Sequence, residues 1–187
     1  MMLLGPQVLG ALYGVSEIVL AFTRRSGSRG DSPDRHSLAL LWVVIAISIL
    51  LSILIAQSHH VGTLPHRRLL YFAGLFLFVG GIILRWYSII HLGRFFTVDV
   101  AIAKEHRVID SGPYHFVRHP SYTGALVAFI GFGLCLGNWL SILLLTLPIT
   151  AAFFWRIRIE ERALVDALGD DYLAYMRRTP RLIPFVY

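Results

Sequence analysis

The chain has 187 residues, of which 56% are hydrophobic and 15% are charged. Its mean hydropathy is +0.67, and its formal net charge at pH 7 is +6. Soluble domains contain about 45–50% apolar and about 25% charged residues, so this composition excludes an ordinary soluble domain and a disordered chain. One cysteine, Cys135, cannot form an internal disulfide. The composition therefore predicts a small protein that crosses a membrane several times.

Three apolar segments in the first half are long enough to cross a bilayer as helices, which takes about 20 residues. They cover residues 3–22, 38–56 and 69–90. A fourth segment, residues 122–155, is interrupted only by Leu-Gly-Asn-Trp at 136–139, where glycine and asparagine favour a turn. We predict a helical hairpin there, with arms of roughly 15–17 residues that are short for a full span. The fold class is thus an all-α membrane bundle of about five transmembrane helices.

The distribution of arginine predicts the orientation of this bundle. Arginine is concentrated in residues 23–37, 91–121 and 156–187, whereas residues 57–68 contain two, at their end. The positive-inside rule then places the N-terminus outside and the C-terminus in the cytoplasm, in the inner membrane if the cell is prokaryotic. The last two arginine-rich segments would form a cytoplasmic cap. Nucleic acid is not an expected partner, because anionic lipid headgroups explain this charge more simply.

The start of the hairpin carries the sequence Arg118-His-Pro-Ser-Tyr122, which suits a ligand site. Proline is favoured at the first helical position, so we expect Pro120 to begin the helix and His119 to be its cap. The N–H groups of Ser121 and Tyr122 would then be free and face the cap. Such a helix start attracts anions and electron-rich ligand atoms. On helix rules alone, a well-started helix with interfacial Arg and Tyr side chains is the favoured interpretation.

A second candidate site lies where the last apolar segment ends. Arg156 and Glu160 are four residues apart, so they share one face of a helix. A solvated ion pair with arginines reaching toward the membrane surface is the common interpretation. Ionisable residues at such a depth are nevertheless often functional.

The C-terminal region has the spacing of an amphipathic helix. Within residues 158–177, Leu164, Leu168, Tyr172 and Tyr175 lie on roughly one face. We predict a helix that lies on the membrane surface. The prolines of the following tail would end the regular structure.

Two further patterns predict no site. His115 and His119 are four residues apart, but they precede the helix and have no acidic or cysteine partner at ligand spacing, so no metal site is expected. The glycines at 131, 133 and 137 resemble a dinucleotide-binding loop only superficially, because no strand precedes them. We therefore expect no Rossmann domain.

Taken together, the C-terminal motifs resemble the isoprenylcysteine carboxyl methyltransferase family, whose wider relatives include phospholipid methyltransferases. The resemblance rests on GPYHFVRHPSYTG at 112–124, on Arg156-x-x-x-Glu160-Glu161, and on GDDYxxY at 169–175. Residues 92–97 also resemble the segment before the family's cofactor loop. The match covers residues 85–187, which we expect to be the cofactor-binding and catalytic region. Residues 1–84 match only as apolar transmembrane helices.

The resemblance implies an integral membrane methyltransferase that uses S-adenosylmethionine. By matched motif, Glu160 would bind the cofactor and Arg156 would position the acceptor, and these two residues are the expected catalytic pair. The acceptor would be a lipid-like or prenylated small molecule or peptide, such as an isoprenylcysteine carboxylate. The remaining implied cofactor contacts are Asp99, His106, Arg107, Val108, Ile109, Tyr114, His119, Pro120, Ser121 and Tyr122.

Two other function classes stay open. Membrane sterol reductases share an Arg-His-Pro-like helix start and an acidic C-terminal motif, and they use NADPH, although they are usually longer. A non-enzymatic membrane scaffold would tolerate loss of Arg156 and Glu160. Within the methyltransferase hypothesis, a carboxylate acceptor needs no general base, whereas an amine, phenol or thiol would need one. Glu160, Glu161 and His119 are the candidates for that base.

Overall fold

The computed structural model describes residues 5–23, 34–58, 61–96 and 107–184. Within these ranges the backbone is helical apart from short connections, which confirms the predicted all-α class. The α-helices, in chain order, are α1 (Pro6–Thr23), α2 (Asp34–Ser58), α3 (Arg67–Leu92), α4 (Pro120–Leu136), α5 (Trp139–Leu168) and α6 (Asp170–Arg178). Two short 3-10 helices, Gly93–Phe95 and Gly112–His115, lie between α3 and α4.

Three helices in the described ranges are long and apolar enough to cross a membrane. They are Ser37–Ser58 in α2, Arg67–Leu92 in α3 and Trp139–Leu168 in α5. Gln7–Leu20 in α1 and Pro120–Leu136 in α4 are shorter apolar helices. These five helices correspond to the apolar segments of the sequence, and α4 and α5 form the predicted hairpin.

The centre of the bundle is α4, which packs along α3 through facing glycines. A Cβ atom added at Gly81 would lie 2.5 Å from the backbone oxygen of Gly124, and one at Gly131 would lie 2.5 Å from that of Gly74. No side chain fits such distances, so the two backbones touch, as small residues allow in membrane helices. The approach also brings α3 to the first turns of α4, because a Cβ at Gly124 would lie 2.6 Å from the Arg85 nitrogen.

The turn of the hairpin is held by Asn138, which caps α5. Its side-chain oxygen accepts hydrogen bonds from the backbone N–H groups of Leu140 and Ser141 at 3.0 and 3.1 Å. Its amide nitrogen donates to the carbonyl of Val61 at 2.7 Å. An asparagine at this position satisfies helix N–H groups that would otherwise be unpaired, and here it also fixes the α2–α3 connection to the hairpin.

The C-terminal half of α5 differs from the prediction. The sequence indicated that the hairpin arm ends near Trp155 and that a separate surface helix covers residues 158–177. Instead α5 continues to Leu168, because its inner face stays buried beyond the apolar segment, at Arg156 and Ile157 among others. The break comes at Gly169, whose φ of 55° lies in the left-handed region that glycine adopts most readily. The continuous surface helix was therefore wrong, and the last 13 residues of α5 rise about 20 Å above the apolar segment.

The first two helices pack on different parts of the hairpin, α1 on α4 and α2 mainly on α5. Tyr13 of α1 lies against Phe129 of α4 with ring centroids 4.7 Å apart. Ser52 of α2 and Ser141 of α5 exchange side-chain to backbone hydrogen bonds at 3.2 and 2.8 Å. Side chains of both α1 and α2 line the cavity described next.

Candidate active site

A cavity of about 1280 Å³, part of it open to solvent, extends from the cap into the bundle. It receives side chains from all six helices and from the segment before α4. Most of the site residues expected from the sequence line it, namely Arg107, Val108, Ile109, Tyr114, His119, Ser121, Tyr122, Arg156 and Glu160. Pro120 is buried at the start of α4 and does not line the cavity. Asp99 and His106 lie outside the described residues.

One face of α5 runs along this cavity, so positions along the helix define the two ends of the cavity. Phe153, Arg156, Glu160, Leu164 and Leu168 line it in that order, at the spacing of three and four residues that places side chains on one helix face. From Phe153 to Leu168 the helix rises about 22 Å. Arg156 and Glu160 therefore lie between a deep end and a cap end.

The two ends differ in chemistry. The deep end is walled mainly by apolar side chains of α1, α2 and α5, namely Tyr13, Leu20, Leu38, Leu41, Trp42, Ile45 and Phe153, with the charged Glu17 and Arg85 in the same wall. The cap end is walled by polar and aromatic groups: Arg107, Tyr114, His119, Tyr172 and Tyr175. A molecule with an apolar tail suits the first end, and a polar, water-soluble molecule suits the second.

Glu160 sits at the junction with part of its hydrogen-bonding capacity unused. The Tyr122 hydroxyl donates to Glu160 Oε1 at 2.5 Å, and Arg156 Nε lies 3.2 Å from the same oxygen. The only ion-pair contact of Glu160 Oε2 within the described residues is His119 Nδ1, at 3.7 Å. Because the side chain is 22% exposed, this carboxylate is able to accept a cationic group of a ligand.

Arg156 places a positive charge beside the deep end of the cavity. The residue is 1% exposed, and its NH1 nitrogen donates to Ser37 Oγ of α2 at 2.8 Å. The bond to Ser37 and the contact with Glu160 fix the guanidinium between α2 and α5. A guanidinium held in this way suits recognition of a carboxylate or phosphate.

Glu161, the next residue, does not line the main cavity and is fully engaged with protein groups. Arg118 Nε lies 2.8 Å from its Oε1, and Arg181 NH2 lies 3.0 Å from its Oε2. His119 Nε2 lies 3.2 Å from Oε1. Two adjacent glutamates thus have different environments. Glu160 faces the cavity, whereas Glu161 joins the sequence Arg118-His-Pro120, called the RHP motif below, to the C-terminal tail.

The tail closes over the motif through backbone hydrogen bonds. The N–H groups of Arg118 and His119 donate to the carbonyls of Pro180 and Arg181 at 2.8 and 3.0 Å. The Thr123 hydroxyl donates to the Leu182 carbonyl at 2.6 Å. These bonds hold the first turn of α4 against the C-terminus, where the sequence predicted only an irregular tail.

Three tyrosines form the aromatic wall of the cap. Burial raises the pKa of the Tyr114, Tyr172 and Tyr175 phenols well above their ordinary value, so all three stay protonated and keep a hydroxyl proton to donate. Tyr175 donates to the Tyr114 carbonyl at 2.6 Å. Leu164 and Leu168 of α5 and Tyr172 and Tyr175 of α6 do not share a face of one helix, and they line the cavity rather than the membrane surface.

The start of α4 agrees with the expected cap but not with the expected free amide of Tyr122. Pro120 is the first residue of the helix and His119 precedes it. The Tyr122 N–H, however, donates to the His119 carbonyl at 3.1 Å, because the first turn closes with a bond between residues three apart. The contribution of Tyr122 to the site is its hydroxyl, and the expectation of a free Tyr122 amide was wrong.

The sequence reasoning missed a buried ion pair in the cavity wall. Arg85 of α3 donates from Nε and NH2 to both carboxylate oxygens of Glu17 of α1, at 2.5 and 2.6 Å. Its NH1 nitrogen donates to the Ser121 carbonyl at 3.3 Å. The available signal was one ionisable residue within each of two apolar segments, which is costly unless the two are paired.

Comparison with known proteins decides the family. The sequence model of the isoprenylcysteine carboxyl methyltransferase (ICMT) family matches residues 73–166. Over 178 residues, the chain is 32% identical to protein-S-isoprenylcysteine O-methyltransferase B of Arabidopsis thaliana, covering 93% of this chain and 88% of that protein. The chain belongs to the isoprenylcysteine carboxyl methyltransferase family. As a member, it is an integral membrane methyltransferase, and the reductase and scaffold hypotheses are set aside.

Other ICMT relatives agree over different lengths. The Schizosaccharomyces pombe protein-S-isoprenylcysteine O-methyltransferase is 37% identical over 105 residues, which is 55% of this chain and 44% of that protein. A solved structure of the eukaryotic intramembrane Ras methyltransferase ICMT superposes with a TM-score of 0.65 at 26% identity. That match covers 97% of this chain and 66% of the other. The ICMT likeness therefore extends over the N-terminal helices that the sequence motifs did not reach.

Proposed function

We propose that this methyltransferase transfers a methyl group from S-adenosylmethionine to the carboxylate of an isoprenylcysteine-like amphiphile. The observation that carries the proposal is the position of Arg156 and Glu160, side by side between an apolar end and a polar end of one cavity. The printed names of the relatives, protein-S-isoprenylcysteine O-methyltransferases, describe an acceptor of that amphiphilic kind.

The cap end fits the proposed cofactor by its donor set. S-adenosylmethionine has an ammonium group, a carboxylate and an aromatic base. The partly exposed Glu160 carboxylate suits the ammonium, Arg107 suits the carboxylate, and the tyrosine wall suits the base. When bound, the cofactor supplies an electrophilic methyl group attached to a positively charged sulfur.

The deep end fits the proposed acceptor. Its apolar walls favour a hydrocarbon chain, and Arg156 would orient the carboxylate at the end of that chain. A carboxylate is already ionised at neutral pH, so no protein group has to remove a proton. The work of Arg156 is therefore to hold the nucleophilic oxygen in place, since alignment of reacting atoms supplies much of the rate in such a displacement.

The orientation that the arginine distribution predicts gives each ligand its own route. With the C-terminus in the cytoplasm, the cap end opens to the water-soluble cofactor. The deep end is lined by α1 and α2, which pack on different helices of the hairpin, so an amphiphile would enter from the membrane between them. In this arrangement the two substrates meet at Arg156 and Glu160 without crossing each other's path.

The roles of the two residues are separable by variants that keep the helix intact. We expect Glu160→Gln to weaken binding of S-adenosylhomocysteine about tenfold or more, because a hydrogen bond to a charged group contributes about 1.5–3 kcal/mol. Arg156→Lys should leave that affinity nearly unchanged and lower kcat for N-acetyl-S-farnesylcysteine about tenfold or more, since an ammonium does not reproduce the guanidinium fork. Isothermal titration and radiolabelled methyl transfer measure the two effects.

The matched control is Asp171→Asn, which changes an exposed carboxylate of α6 that does not line the cavity. Its affinity and turnover should equal those of the wild type. Unchanged affinity in Glu160→Gln would contradict the cofactor assignment. Methylation of the carboxamide analogue of the acceptor, or of phosphatidylethanolamine in preference to the carboxylate, would contradict the acceptor assignment.

A further inference from the structure

A second, shallow groove lies on the outer side of α5, away from the cavity. Its lining comes from α5, α6 and the tail: Arg158, Glu161, Arg162, Val165, Asp166, Met176 and Arg181. None of the groove residues lines the active-site cavity, and the methyl-transfer mechanism uses none of them.

The position of the groove relative to the membrane follows from the exposed residues of α5. Leu147 is 63% exposed and Trp155 is 47% exposed, so the outer face of the helix is apolar up to an exposed tryptophan. Tryptophan side chains at such positions mark the membrane–water interface. Arg158 and Arg162 follow Trp155 on the same face, about 4.5 and 10 Å further along the axis. They therefore lie at the level of the lipid headgroups.

The charge of the groove is positive and incompletely compensated. Arg158 and Arg162 are exposed, and neither has an ion-pair partner within the part of the chain that the structure describes. Arg181 shares the buried Glu161 with Arg118, so this carboxylate does not neutralise the outer arginines. Asp166 is the remaining acidic residue of the groove, and it alone does not balance the charges of Arg158 and Arg162.

We propose that this groove binds the phosphate of an anionic phospholipid from the leaflet that faces the cap. The two outer arginines would hold the phosphate, and the glycerol and acyl chains would run down past Trp155. Val165 and Met176 would contact the alcohol group esterified to the phosphate, on the side away from the membrane. The tryptophan argues for a lipid over a soluble phosphate, because it places the arginines directly above hydrocarbon.

The test is lipid retention by the purified full-length protein, measured by native mass spectrometry after equilibration with mixed phosphatidylglycerol and phosphatidylcholine. We expect the wild type to retain phosphatidylglycerol preferentially. In the Arg158→Gln/Arg162→Gln variant that preference should fall about 25-fold, since each of the two basic residues near the membrane surface contributes about fivefold. This measurement does not depend on the methyltransferase reaction.

The control removes the same charge elsewhere, by Arg68→Gln/Arg177→Gln, at two exposed arginines that do not line the groove. It should keep the preference. Equal loss in the control, or no loss in the groove variant, would overturn the proposal. Glycerol 3-phosphate is the second probe, and displacement of the lipid by this soluble compound at equal concentration would assign the site to a free phosphate instead.

Discussion

At the scale of single residues, the adjacent carboxylates Glu160 and Glu161 show how position on a helix determines the role of a charge. Neighbouring helical residues point in directions about 100° apart. Glu160 therefore reaches the cavity, while Glu161 meets Arg118 and Arg181. Glu160 can still bind a ligand, whereas the carboxylate oxygens of Glu161 are already paired with protein groups.

This difference predicts unequal effects of the same substitution on stability. Glu161→Gln leaves Arg118 buried without its carboxylate, so we expect the free energy of unfolding to fall by about 3 kcal/mol. Glu160→Gln should change it by less than about 1 kcal/mol, because that side chain is partly solvated. Thermal unfolding in detergent compares the two, and equal destabilisation would show that Glu160 is also a structural residue.

At the scale of helices, the contact between α3 and α4 determines where the site groups stand. The touching backbones bring Arg85 to the Ser121 carbonyl, next to the tyrosine that holds Glu160. A small displacement of α4 against α3 would therefore move several cavity groups together. Glycine is required at this contact because no side chain fits between the two backbones, and not because the backbone adopts a left-handed conformation.

Two neighbouring glycines of α3 provide a matched test of this contact. A Cβ at Gly81 would lie 2.4 Å from the Ala128 nitrogen, whereas nothing lies within 4 Å of one at Gly80. Gly81→Ala should lower stability by about 1–3 kcal/mol, and Gly80→Ala should raise it slightly through helix propensity. Unfolding curves of the two variants measure the difference. Equal stability of both would contradict close backbone packing.

At the scale of the whole molecule, the active-site cavity is a product of all six helices, with one end for each proposed substrate. Ile45 lines the deep end and is 7% exposed. Ile45→Trp fills that end, so we expect the KM for a farnesylated acceptor to rise about tenfold or more. The affinity for S-adenosylhomocysteine should stay within about twofold, because the cap end is unchanged. A parallel loss of both affinities would contradict the two-ended arrangement.

The sequence predicted much of this organisation for identifiable reasons. The apolar lengths gave five helices, Pro120 gave the start of α4, and the break at 136–139 gave the turn between α4 and α5. The resemblance of the motifs to a known family gave nine residues that line the cavity. These features are local, since they depend on a few neighbouring residues or on segment length.

The features that were missed depend on contacts between distant parts of the chain. The sequence shows helical spacing beyond Trp155, but it does not show that these residues continue α5, because that depends on contacts such as the one between Arg156 and Ser37 of another helix. The bond between the tail and the RHP motif is of the same kind. The pairing of Arg85 with Glu17, 68 residues away in the sequence, is a third contact that the local sequence does not indicate.

The pair of Arg85 and Glu17 constrains how this protein can vary. Both side chains are almost fully enclosed, at 10% and 3% exposure, and among the described residues neither has another ion-pair partner. Replacing one residue alone leaves an unpaired charge buried among apolar helices, which costs stability. Replacing both with apolar residues removes that desolvation cost. We therefore expect the two positions to covary, so that a relative lacking the arginine also lacks the glutamate.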